Sequence, residues 1–299
     1  MANQPVRSIS LPSREHPCSV RIEALLNHLK SYQPSSVSST VHFSFETIQT
    51  SLIALAELYA SVEEFLNSPS SQQVLLLNRC GSPIEEALDS SITLLDTCNL
   101  GRDILLSMKE HVQTLQSSLR RKGGDSTIEA NIHSYICFRK KAKKDISKCL
   151  GKLKKMESNI ASSPPTIDLN QDLSIVIRIL RETRTATISI FRFLLKFLSM
   201  YEASTNFGRW SLVSKLMRMR LSSPEKEQKM VNLVGNVDVA LLSLLGNLQS
   251  NEAAIVEKQM TQKLLETLNW SSESLAGGLD CMFRCLVQNR VSLLNIITC

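Results

Sequence analysis

One stretch of the chain, from Ser82 to Gly124, constrains the fold more than any other. It begins like a helix, since Ser82 is a suitable cap and Pro83 suits the first helical position. It ends like one, with three basic residues immediately before Gly123. Between these ends, apolar or small residues recur at steps of three and four, which predicts a helix of roughly forty residues, bent at Gly101. A helix that long needs partners along its whole apolar side, so this stretch favours a helical bundle.

Hydrophobic spacing predicts eight more helices, and no stretch of useful length alternates as a strand would. They are Val20–Lys30, Ser44–Asn67, Gln72–Leu77, Ser126–Ile160, Asp168–Ala203, Arg209–Leu221, Glu225–Leu268 and Ser271–Ile297. The segment from Ile188 to Tyr201 is apolar on nearly every side, so we expect it to be the most buried. Short turns between long helices imply antiparallel neighbours. The predicted fold is all-α, an elongated antiparallel bundle of long helices.

Composition divides the chain of 299 residues into two parts. Residues 1–43 are predicted to form an irregular leader with one short helix and a serine-rich linker, and residues 44–299 a single helical-bundle domain. A domain of this length can bury a sizeable core. The run Ser162-Ser163-Pro164-Pro165 interrupts the helical pattern most strongly. It leaves a sub-boundary at 161–167 as an alternative.

The leader contains hydroxyl groups beside arginines, in the sequence from Arg7 to Arg14. Ser8 and Ser10 are therefore candidate phosphorylation sites in a kinase or docking peptide, and the alternative is a disordered leader without such a role. The leader lacks the apolar region of a secretory signal, and its serine-rich composition leaves a transit peptide as a second alternative.

The cysteines indicate a reducing compartment. All eight lack the spacing of a disulfide scaffold or a zinc site, and most lie on apolar helix sides, where cysteine acts as a small hydrophobic residue. The longest apolar run, at residues 188–201, is interrupted by Arg192 and Lys196 and is too short to span a membrane. We expect a cytoplasmic protein, with a peripheral location at a membrane as the alternative.

Positive charge is concentrated in one predicted helix. The formal net charge of the whole chain is +6, yet residues 120–155 hold twelve Lys or Arg against three acidic residues, a net +9, so the remainder is about −3. A line of lysines lies roughly 140° from the apolar side of this helix. The candidate face for an acidic partner or a lipid surface comprises Arg139, Lys140, Lys141, Lys144, Lys148, Lys152 and Lys155.

Four interpretations of this basic face remain open. It is a solvated face, or one paired with acidic residues elsewhere in the fold. It docks on anionic lipid headgroups, where each basic residue near the surface contributes about 1 kcal/mol. It binds nucleic acid, which ranks last because only Tyr135 and Phe138 are nearby aromatics and no recognition motif is present. It binds a calmodulin-like protein, which would require the apolar side to be exposed.

No catalytic, cofactor-binding or metal-binding residue is predicted. The sequence contains no phosphate-binding glycine loop, no nucleophile elbow and no zinc-protease motif. The five histidines are scattered, and His111 is expected at a helix surface or interface. Cys281 and Cys285 share a helix face, but no third ligand is nearby, so core cysteines are favoured over a metal or redox pair. The sequence favours a non-enzymatic protein, with an unrecognised enzyme as the alternative.

Three ordered motifs carry a resemblance that covers nearly the whole chain. The first runs from Ser8 to Pro17, the second lies between Leu58 and Gln73, and the third and most specific runs from Leu94 to Arg121. Together they resemble a plant-specific family of unknown function that is related to the BYPASS proteins. The resemblance implies a helical plant protein without an assigned enzymatic activity and, through its BYPASS relatives, a role in root and shoot development. It identifies no functional residues and no partner, and heptad spacing fits packing within one chain and between chains equally well.

Overall fold

The computed structural model of this protein describes residues 17–31, 44–78, 82–121, 125–162, 171–200, 233–247 and 253–298. These residues form α-helices and no strand. The helices are α1 (Pro17–Ser31), α2 (Phe45–Leu66), α3 (Pro69–Leu77), α4 (Ser82–Arg120), α5 (Asp125–Ser162), α6 (Gln171–Ser199), α7 (Leu233–Asn247) and α8 (Ala253–Thr298). The predicted all-α bundle is confirmed. The predicted helix Arg209–Leu221 and both candidate phosphorylation sites, Ser8 and Ser10, lie outside the described residues.

Local capping determines where α2 and α3 begin. The side chain of Ser44 caps α2 by accepting a hydrogen bond from the backbone N–H of Thr47. Ser68 caps α3 in the same way by accepting from Ser71, and Pro69 occupies the start of that helix. Helix α3 therefore begins at Pro69, and the prediction that it begins at Gln72 is wrong because proline stabilises the first turn here instead of ending the pattern.

Helix α4 runs without interruption through Gly101. A Cβ atom added at Gly101 would lie 3.0 Å from Leu279 Cδ1 on α8. The thiol of Cys98, one turn earlier, donates a hydrogen bond of 3.2 Å to the backbone carbonyl of Leu279. The glycine is thus explained by the close approach of two long helices.

The prediction of a helix end near Leu268 is wrong. Helix α8 runs from Ala253 through this position to Thr298, and a separate helix, α7, precedes it. Serine is a favoured cap residue and the last predicted helix begins at Ser271, but this serine is 2% exposed inside the bundle. The buried side of α8 continues across this point at helical spacing, through Leu265, Leu268, Ser272, Leu275 and Leu279. The continuous stripe therefore outweighs the capping signal.

The two longest helices, α4 and α8, pack against each other along much of their length. Ion pairs join Arg102 to Asp280 at 3.3 Å, Lys109 to Glu273 at 3.1 Å and Arg120 to Glu266 at 3.1 Å. Residue numbers rise on one helix as they fall on the other, so the helices are antiparallel. Such solvent-exposed pairs contribute little energy, and their main effect is on register.

Helix α6 lies at the centre of the bundle and contacts α1, α2, α3, α4 and α5. Its second half, which the sequence predicts to be strongly buried, includes the fully buried side chains of Phe191 and Phe197. One hydrophobic cluster joins residues from before and after positions 163–170, including Ile160 and Val176.

Raising the pH is expected to weaken the core at Tyr59. This buried tyrosine hydroxyl lies 3.0 Å from Thr187 Oγ1, and burial raises its pKa from 10.0 to about 12. Because the pKa of Tyr59 is higher in the folded chain than in the unfolded chain, the contribution of its hydroxyl to folding stability is complete below pH 10. It is lost as the pH rises through about 12. Tyr59→Phe should therefore show a shallower decline in unfolding free energy between these pH values, measured by urea unfolding. Equal slopes for the two proteins would contradict this.

Candidate functional site

The lysines of α5 form an exposed line on the outside of the bundle. Helix α5 packs against α4, α6 and α7, and its buried side includes Ile146 and Leu153. The opposite side is exposed over its basic half. We define the lysine stripe as Lys141, Lys144, Lys148, Lys152 and Lys155, all of which are exposed. Lys140, also in the predicted face, is exposed beside the stripe. The structure thus brings these six lysines onto one outward surface.

Nearby acidic side chains neutralise little of the positive charge of the lysine stripe. Lys148 approaches Asp145 at 3.7 Å on its own helix, and its side chain remains 66% exposed. Like charges at helical spacing repel by a few tenths of a kcal/mol per pair, which the packing of the opposite side must offset. An anionic partner would therefore stabilise this surface.

Arg139 does not belong to the surface, and its prediction as part of the basic face is wrong. Its side chain is 6% exposed and faces Asp238 on α7. The guanidinium donates from Nε to Asp238 Oδ1 at 3.1 Å and from Nη2 to Oδ2 at 3.1 Å. Arginine can form this two-point contact because its donors are rigidly forked. On a helical wheel Arg139 lies about 180° from Lys148, which is a signal of burial that the sequence contains.

The same guanidinium group of Arg139 also caps the C-terminal end of α6. Its Nη1 donates to the backbone carbonyl of Leu198 at 2.7 Å, and Nη2 donates to that of Met200 at 3.1 Å. The hydroxyl of Tyr135 donates to Asp238 Oδ1 at 2.8 Å. Burial raises the pKa of Asp238, and the neighbouring Arg139 and Tyr135 oppose that rise. This network joins α5, α6 and α7 and has a structural role, which sequence reasoning missed although Asp238 is a lone acid among apolar residues.

A second stripe, of opposite charge, lies on α4. We define the acidic stripe as Glu85, Asp89, Asp96, Asp103 and Glu110, all of which are exposed. The last four recur every seven residues, and Ile92 and Leu106 lie among them with 47% and 45% exposure. Because α4 and α5 pack on each other and on α6, their exposed sides face outward together. The exposed heptad pattern was the signal available in the sequence, and it was overlooked.

The other singled-out residues have ordinary surroundings. His111 is half-buried and stacks on Phe138 with ring centroids 4.9 Å apart, and burial lowers its pKa. Cys285 is half-buried with a pKa raised to about 11 by burial, whereas Cys281 is exposed. The prediction that both are core cysteines is wrong for Cys281, which lies on the outer side of α8. No group of three or more candidate metal ligands occurs within the described part of the chain.

A polar groove of about 460 Å³ lies where α4 ends and α5 begins. It is lined by Glu110, Gln113, Thr114, Ser117, Ser118, Arg121, Thr127 and Asn131. These side chains include no histidine, cysteine or lysine.

None of the helices in the described part of the chain combines the length and the apolar character that a membrane-spanning segment requires. The chain matches no curated protein and no solved structure. The family described as Protein BPS1 matches residues 51–296, which span all of the helices from α3 to α7 and most of α2 and α8. The chain therefore belongs to the BPS1 family, the BYPASS-related family that its motifs resemble.

Proposed function

We propose that this chain is a non-enzymatic helical adaptor or regulatory protein of the cytoplasm that acts in root and shoot development. It binds a protein partner through the lysine stripe of α5. Membership of the BPS1 family supports the developmental role. A binding role is supported because the charged side chains of the lysine stripe and the acidic stripe lie in lines on outward helix faces.

The observation that carries this proposal is the position of the acidic stripe beside the lysine stripe. Packed helix axes lie about 8–10 Å apart, close to the Debye length of about 8 Å at physiological salt. An acidic helix that lies along α5 contacts the lysine stripe. At that distance, salt screens most of its repulsion by the carboxylates of α4. A flat anionic membrane would cover both helices and meet five carboxylates as well as five lysines. The geometry therefore favours a narrow acidic protein segment over a lipid surface.

Vesicle flotation separates these two classes of partner. The purified chain is mixed with neutral or anionic vesicles at ~0.15 M salt, where surface charges are already screened. The α5 variant carries four changes: Lys141→Glu, Lys144→Glu, Lys148→Glu and Lys152→Glu. We expect neither the wild-type chain nor this variant to float with either kind of vesicle.

A matched control makes the same change in net charge elsewhere. The control variant carries four changes at exposed positions: Arg21→Glu, Lys196→Glu, Lys263→Glu and Arg284→Glu. Flotation of the wild type and the control on anionic vesicles, with loss in the α5 variant, would contradict the proposal. That result would make peripheral membrane docking the activity of the lysine stripe.

A further inference from the structure

Charges of the acidic stripe and of the lysine stripe lie at matching positions along the axes of α4 and α5, which form an antiparallel hairpin. The hydroxyl of Thr97 lies 3.3 Å from the thiol of Cys149, and His111 lies edge-on to Tyr135. In an antiparallel pair, each step forward on one helix corresponds to a step back on the other. With a rise of 1.5 Å per residue, the following charges are level to within about 3 Å. They are Asp89 with Lys155, Asp96 with Lys148 and Lys152, and Asp103 with Lys141 and Lys144.

These charges do not pair within one chain. Among the described residues no ion pair joins the lysine stripe to the acidic stripe, and the one contact of Asp103 is to its neighbour Arg102 at 3.9 Å. Both stripes point away from α6, so their charged ends remain in solvent. The surface also exposes apolar area, at Ile92 and Leu106. It thus presents both signs of charge and an apolar component.

We infer that this surface binds a second copy of the chain. The inference rests on the proposed function, because it requires the lysine stripe to take a protein partner. The two hairpins face each other about a two-fold axis that runs parallel to the helices. That rotation preserves position along the helix axes and places α4 of one copy opposite α5 of the other, so that Asp89, Asp96 and Asp103 each meet lysines.

Charge excludes the other symmetric arrangement. A two-fold axis across the helices would place α4 against α4 and α5 against α5, which opposes like charges along the whole surface. The parallel axis also buries Ile92 and Leu106, because they lie on the acidic stripe itself. The surface is therefore self-complementary in one orientation.

The size of the surface predicts a weak, salt-sensitive dimer. Residues 89–110 of α4 span about 32 Å, and two packed helices are about 20 Å wide. The contact would bury about 600 Å² per copy, which is at the lower edge of specific interfaces. Because much of the attraction is between exposed charges, salt should reduce it strongly.

Sedimentation equilibrium of the full chain tests the inference. The wild type is expected to approach twice the monomer mass as its concentration rises at ~0.05 M salt, and to return to the monomer mass at ~0.5 M salt. The α4 variant carries four changes: Asp89→Lys, Asp96→Lys, Asp103→Lys and Glu110→Lys. It and the α5 variant are each expected to be monomeric, because either set of changes makes most of the facing charges alike.

Mixing the two variants restores the complementarity, so the equimolar mixture is expected to dimerise. A single chain that carries both sets of changes should dimerise as the wild type does, and circular dichroism checks that each variant is folded. A wild type that stays monomeric at low salt, or a dimeric wild type whose folded variants do not associate on mixing, would overturn the inference. If the wild type is monomeric and does not float on vesicles, the dimer inference is wrong and the adaptor proposal is unaffected. Flotation on anionic vesicles that is lost in the α5 variant contradicts the adaptor proposal, whatever mass is measured.

Discussion

Replacing Asp238 by alanine is expected to lower the free energy of unfolding by about 3–5 kcal/mol, the cost of leaving a buried charge without its partner. Asp238 accepts hydrogen bonds from Arg139 and Tyr135 in a site that is almost closed to solvent. Truncation leaves the guanidinium buried against backbone carbonyls alone. Urea unfolding followed by circular dichroism measures the change.

A double variant provides the control for this pair. Arg139→Met with Asp238→Leu removes both charges, so it should be less destabilised than Asp238→Ala, although it also loses the contacts of Arg139 with Leu198 and Met200. An Asp238→Ala protein within about 1 kcal/mol of the wild type would show that the network contributes little.

Gly101→Val is expected to lower the free energy of unfolding by about 2–3 kcal/mol. A Cβ at Gly101 is already tight against Leu279, and the added methyl groups must displace α8 or distort α4. The loss occurs although valine has a better intrinsic helix propensity than glycine.

The matched control for Gly101 is Gly151 on α5, where an added Cβ meets nothing within 4 Å. Gly151→Ala should raise the free energy of unfolding by about 0.5–1 kcal/mol, since only the propensity gain remains. If Gly101→Val proved as stable as the wild type in thermal and urea unfolding, the close packing of α4 on α8 would be contradicted.

The sequence predicts those parts of the fold that depend on local pattern. The unbroken apolar ladder of α2 and the caps of α4 gave helices whose observed ends lie within a few residues of the prediction. The boundary near Leu268 failed because a serine that resembles a cap is equally suited to fill a tight helix contact. A serine has the same local chemistry whether it caps a helix or fills a helix contact, and only the neighbouring helices determine which of the two roles it has.

The candidate site was partly predictable for the same reason. The lysine stripe follows from spacing on one helix, so its exposed side could be assigned from the sequence. Arg139 was misassigned because its partner, Asp238, is distant in sequence and is brought near only by tertiary packing. The acidic stripe was missed because its meaning depends on α4 and α5 facing the same way.

The most direct test of the lysine stripe as a protein-binding surface is site-specific photocrosslinking in plant cells. A photoreactive residue is placed at Gly151, which lies between Lys148 and Lys152 on the exposed side of α5. The control position is Gly277 on α8, which is also exposed and has open space around it. We predict a protein adduct at Gly151, either a second copy or a partner with an acidic segment, that disappears in the α5 variant and is absent at Gly277. No adduct at Gly151, or equal adducts at both positions, would contradict the account.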